Sequence, residues 1–219
     1  MPNHIRAPYM FKRIAFTSLL AMLPLAPASA QNTAYTMFEV NNQVLVELPN
    51  DWTIVDGDHR PRVADLAKKA GVPVISVNAL SATSHQTDSA AVVRVTFLKL
   101  PRPVTQEQAR ANAQRDVQAT ALNWKSKEAE MWADLGKMGI KQVGQPSFAS
   151  ETLAGQQAIV IRYQRTNASD ASNPKQTVNV TQNHIVLGAE RALITFSYDE
   201  GNKQAQAQIE RIRKSLVIK

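Results

Sequence analysis

The chain contains no cysteine, which excludes disulfides, thiolate nucleophiles and thiolate metal sites together. Glycine is scarce, 8 among 219 residues, and none of it forms a phosphate-cradling loop. The G-x-S-x-G and H-E-x-x-H patterns, which would signal a nucleophile elbow or a helical zinc pair, are both missing. Histidine is limited to His4, His59, His85 and His184, with no pair at helical ligand spacing. Long apolar runs are also lacking. The one sustained run, Ile14–Leu25, is too short to cross a bilayer as a stable helix.

That run has a different logic. Lys12 and Arg13 precede it, Pro24 and Pro27 interrupt it, and Ala28-Ser29-Ala30 follows. A cationic start, a short apolar core and an A-x-A site make an export signal, with cleavage expected after Ala30. The chemistry excludes a lipid anchor, because no cysteine follows the apolar core. Removing Arg6, Lys12 and Arg13 lowers the formal charge from +7 to +4. Cations and acids are interspersed in the rest, so no nucleic-acid footprint stands out. Residues 31–219 are long enough for one domain with a proper core. The compartment expected is the periplasm, and the protein expected is soluble.

Along that domain, Tyr35–Val40 and Gln43–Leu48 read as strands around an Asn41-Asn42 turn, since Asn tolerates positive φ. Trp52–Val55 resumes a strand, Pro61–Ala70 has helical spacing, and Val72–Leu80 reads as a strand. The polar Ser81–Ser89 reads as a loop. In Ala91–Leu100, Val93, Val95 and Phe97 point one way and Val92, Arg94 and Thr96 the other. Pro101 and Pro103 are expected to close that strand. Thr105 and Gln108 then have capping-box spacing for a helix over Gln106–Met138, whether continuous or broken near Asn123–Ser126. Its apolar positions are a small-residue stripe (Ala109, Ala113, Val117, Ala121) and a bulkier one that includes Trp124 and Trp132. Strands at Gln142–Val143, Phe148–Leu153, Gln156–Arg165, Gln176–Leu187 and Ala192–Tyr198 follow, with Ala154-Gly155 as a hairpin turn. Thr166–Pro174 reads as a loop, and Asn202–Leu216 closes the chain as a helix. The fold class is α+β, a mainly antiparallel sheet flanked by helices.

Two stretches invite a chemical reading. Asp56-Gly57-Asp58-His59 offers oxygen and nitrogen ligands, but Arg60, Pro61 and Arg62 stand where a calcium loop would place further acids. A turn following a strand that buries Trp52 is the expectation. Trp124 and Trp132, eight residues apart, share a helix face. Packing on the sheet and anchoring a partner both stay open for them, and they are the residues assigned to a partner-binding surface. No catalytic, cofactor or metal residue is assigned. A hydrolase with His59 or His184 as base is the minority alternative.

The ordered features resemble the PsbP/Mog1/DcrB-like superfamily. The resemblance rests on Leu48-Pro49-Asn50-Asp51-Trp52 after a hairpin, ETLAGQQAIVIRYQR (Glu151–Arg165) with Gly155 and Ala158, ALITFSYDE (Ala192–Glu200) and IRKSL (Ile212–Leu216). It implies a PsbP/Mog1-like α/β/α sandwich and a non-enzymatic accessory, scaffold or regulatory role. The partner implied is another envelope or secreted protein. An immunity protein neutralising a secreted effector is a second binding role. No functional residue carries over, because the shared positions are core and turn positions, and fold alone does not select a role.

Overall fold

The computed structural model describes residues 34–56, 74–77, 79–84, 91–137, 139–166 and 176–219. The export signal, the turn beyond Asp56, the Pro61–Ala70 helix, His59, His85, Met138 and most of the Thr166–Pro174 loop lie outside them. Thr33–Lys219 forms one compact unit.

Strands β1 (Tyr35–Val40) and β2 (Val44–Pro49) make the first hairpin. Asn41 and Asn42 both adopt positive φ, +50° and +56°, the pairing a tight two-residue hairpin turn requires. Alternate residues Val44, Val46 and Leu48 are buried, as a strand with one wet face demands. A turn closed by Trp52 N donating to Pro49 O (3.1 Å) leads into β3 (Thr53–Asp56), and Trp52 itself is buried. Trp52 is therefore core.

The expected strand Val72–Leu80 divides in two. β4 (Val74–Val77) pairs in parallel with β1, whereas β5 (Leu80–Thr83) pairs with β3 and with β6 (Ala91–Val104). The supposed loop Ser81–Ser89 thus begins as a strand. Its Ala82 is wholly buried between polar neighbours, and so small a side chain gives the alternation little apolar signal. β6 also runs past Pro101 and Pro103. Its register with β9 shifts between Lys99 and Val104, and at such an irregularity a proline forfeits no ladder hydrogen bond.

The helix α1 (Gln106–Lys137) is a single continuous element of 32 residues, with no break near Asn123–Ser126. Thr105 and Gln108 cap it reciprocally: Gln108 N donates to Thr105 Oγ1 (3.2 Å) and Thr105 N to Gln108 Oε1 (2.9 Å). Gly139, at φ +77°, ends it, with Gly139 N donating to Gly136 O and Ile140 N to Leu135 O.

β7 (Gln142–Leu153), β8 (Gln156–Thr166) and β9 (Thr177–Asp199) follow. β9 is a ribbon that folds back at Gly188 (φ +66°). Its first half pairs with β8 and its second with β6, and Glu200 N donating to Thr177 O (2.7 Å) brings its ends together. The closing helix α2 (Lys203–Ser215) is capped by Asn202, whose side chain accepts from Ala205 N at 3.0 Å. β10 (Val217–Ile218) completes the chain.

Two sheets result, ordered β10-β2-β1-β4 and β3-β5-β6-β9-β8-β7. Among the described residues only β1 and β4 pair in parallel; the other neighbours are antiparallel, and the fold is α+β. Helix α2 contacts β2 of the first sheet and β6 and β9 of the second. There Ile209 and Ile212 join Val44, Val46, Val93, Val95, Ile194 and Phe196 in one apolar core. Helix α1 lies on the larger sheet's other face, against β7, β8 and β9.

Candidate functional site

Helix α1 is long but shallowly set: Ala109 is its one fully buried residue. The small stripe lets the helix approach the sheet near its N-terminus, where Gln106 Nε2 donates to Val186 O (2.6 Å) and its Oε1 accepts from Gln157 N (2.7 Å). Further along, indoles replace alanines and prop the helix on aromatic contacts. The Trp124 ring lies 5.2 Å from Tyr163 and 6.1 Å from Phe148, and Trp132 lies 6.0 Å from Tyr163. Both indoles are half-buried, with their Nε1 atoms shut off from solvent and unpartnered among the described residues. The structure places this pair between helix and sheet. Burial raises the Tyr163 phenol above its ordinary value, while Arg165 and Arg94 act against it; burial likewise lowers the Arg165 guanidinium.

Between these two kinds of support the helix leaves a cleft of about 590 Å³. Asn112, Arg115, Asp116 and Asn123 line it from α1, Arg102 from the end of β6, and His184 and Arg191 from the two arms of β9. Its charge is lopsided. Three guanidiniums share the cleft with one carboxylate, Asp116, whose nearest approach to Arg115 is 3.7 Å with both side chains well exposed. A pair so exposed contributes little. Arg102 and Arg191 make no hydrogen bond or ion pair among the described residues. Glu190, next to Arg191 in sequence, is engaged by Asn41 Nδ2 (2.8 Å) and Gln43 Nε2 (2.6 Å).

His184 sits in the same cleft. Its Nε2 has almost no accessible surface and no partner among the described residues. Burial, helped by the charge of Arg191, lowers the imidazole to about 4, so it is neutral at physiological pH. A general base needs a proton to take and a group to orient it. Among the described residues no carboxylate hydrogen-bonds to this ring. His184 was named in the sequence only as a minority catalytic base, and Arg102, Arg115 and Arg191 carried no signal, being scattered over three elements.

A second hollow of about 430 Å³ opens on the other face, between α2 and the stretch of β7 from Val143 to Ser147, where its register with β8 shifts. The hollow's two arginines, Arg162 and Arg213, both donate to neighbouring Glu151, at 2.6 and 2.7 Å and at 3.4 Å, so each already has a carboxylate partner. Among the described residues no group of three or more His, Asp or Glu side chains could hold a metal ion. No helix there is long and apolar enough to cross a membrane.

No family model matches the chain, and no curated protein matches it. Solved structures do. A protein from Bacteroides thetaiotaomicron VPI-5482 is similar at 8% identity and TM-score 0.43, over 84% of this chain and 48% of its own. The chain thus spans about half the length of that protein. The cyanobacterial PsbP of Synechocystis sp. PCC 6803 is similar at 12% identity and TM-score 0.43, over 90% and 99% of the two chains. The Ran-binding protein Mog1p of Saccharomyces cerevisiae is similar at 10% identity and TM-score 0.37, over 85% and 96%. At these identities and TM-scores the likenesses say nothing of role or partner.

Proposed function

We propose that the protein is a periplasmic binding or accessory protein, exported by the segment ending at Ala30, that meets another envelope or secreted protein through the α1 cleft and performs no chemistry on it. The observation that carries this reading is the cleft itself. It combines cationic donors from three elements with an imidazole that no carboxylate among the described residues orients. Such a set is suited to recognition, since catalysis would need a base and a nucleophile within hydrogen-bond reach of each other. Trp124 and Trp132 belong to this surface as the props that hold the helix off the sheet, and any ring edge left in solvent would add apolar contact to the cleft's far end.

The test uses tagged protein in an envelope extract, comparing wild type with Ala119→Trp, which fills the cleft, and Ala207→Trp, on the exposed side of α2. A partner retained by wild type and Ala207→Trp and lost by Ala119→Trp is the expected result. Equal capture by all three would remove the cleft from the function.

A further inference from the structure

We infer that the group recognised in the α1 cleft is an oxyanion, supplied as carboxylates on an extended acidic segment of the partner protein. This rests on the cleft being the binding site. Charge comes first. The cleft holds Arg102, Arg115 and Arg191 against Asp116 alone, a surplus of two positive charges. Elsewhere the protein pairs such groups: Arg162 and Arg213 converge on Glu151 across the sheet. An arginine is planar and always cationic, and its forked donors match a carboxylate edge to edge. Arg191 lies half-buried with that fork unused.

The second observation is independent of net charge. His184 presents a sealed, unpartnered Nε2 in the same cleft. A buried polar atom without a partner is costly, and its persistence is explained if a ligand completes it. The charged groups lining this space beside the imidazole are Arg191 on its own ribbon, Arg102 on β6, and Arg115 and Asp116 on α1. An arriving carboxylate offsets the cationic surplus and, once the side chains over the ring part, accepts from it, so the ring holds a proton more readily once the anion is bound.

Shape selects a segment over a single small ion. The α1 wall runs from Gln108 to Asn123, which at 1.5 Å per residue is about 22 Å. An extended strand of roughly seven residues covers that length. Asn123 places an amide group along the wall, and Asn112, whose Nδ2 donates to Gln108 O (2.8 Å), adds its Oδ1, where a peptide backbone could use them.

The experiment titrates the purified protein with a hepta-glutamate peptide, a hepta-glutamine peptide, glutarate and inorganic phosphate. Calorimetry gives affinity, and nitrogen-edited NMR follows the His184 ring. The expected result is binding of the acidic peptide alone at micromolar levels, weakened about tenfold or more by Arg191→Gln and by Arg102→Gln. The His184 pKa should rise by about one unit when the peptide binds. Arg102 is exposed, so its variant tests charge without threatening the fold. Tight binding of glutarate or phosphate without the peptide would overturn the acidic segment as the source. No anion binding, or binding indifferent to both arginines, would overturn the oxyanion altogether. If Ala119→Trp still abolished partner capture in that case, the cleft reading would stand without it.

Discussion

A single imidazole shows how far burial governs this site. His184 is neutral because the sheet and helix exclude water from it and Arg191 repels a proton. Its folded value, about 4, lies below the ordinary 6.5, so between these pH values the unfolded chain binds more protons than the native one. Stability is therefore intact above pH 6.5 and falls as pH drops toward 4, by on the order of 3 kcal/mol from this group. Denaturant titrations of wild type and His184→Gln at stepped pH should show the wild type losing, over that window, stability that the variant keeps. A constant difference would mean the ring is solvated. Trp124 makes the complementary point: its indole touches both Tyr163 and Phe148. Trp124→Ala is expected to cost about 2–3 kcal/mol in equilibrium unfolding, below the range of a fully buried tryptophan because the ring is half-buried.

At the scale of elements, the long helix is the decisive case. Its small stripe and its aromatic stripe fall on one face only if the 3.6-residue period runs unbroken from Ala109 to Leu135. Ser126→Pro is expected to destabilise the protein by about 3 kcal/mol, as an interior proline does; a cost below about 1 kcal/mol would mean the helix is already broken there. From sequence the helix was legible in extent, through the Thr105–Gln108 capping box and Gly139, but its continuity was not. Asn123, Lys125 and Ser126 have middling propensity, and the Trp124–Tyr163 contact that ties this turn to the sheet is tertiary. Strand alternation was plain in β6, where Val93 and Val95 are buried and Arg94 and Thr96 exposed. It was hidden in β5, where Ala82 is the buried residue. The cleft itself was illegible, since Arg102, Arg115 and Arg191 come together only when α1 crosses β8 and β9.

Across the whole molecule, the two faces of the larger sheet divide the labour. On one, α2 and the smaller sheet close a continuous apolar core through Ile209, Ile212, Val93 and Phe196. On the other, α1 is held by a glutamine bridge at one end and aromatic rings at the other, and between them the cationic cleft stays open. Glu190 joins the smaller sheet's first hairpin to the fold-back of β9, fixing the turn that carries Arg191. Stability is thus concentrated on the face away from the cleft. In the proposed reading, that division leaves recognition free of the need to build a core.

The most direct measurement is photocrosslinking in growing cells, with a photoreactive residue placed in turn at Arg115, Asn123 and, as a distant reference, Gln204 on α2. Adducts to one envelope or secreted protein from Arg115 and Asn123, and none from Gln204, are the expected result. Adducts confined to Gln204, or none from either cleft position, would contradict a binding role for the face under α1.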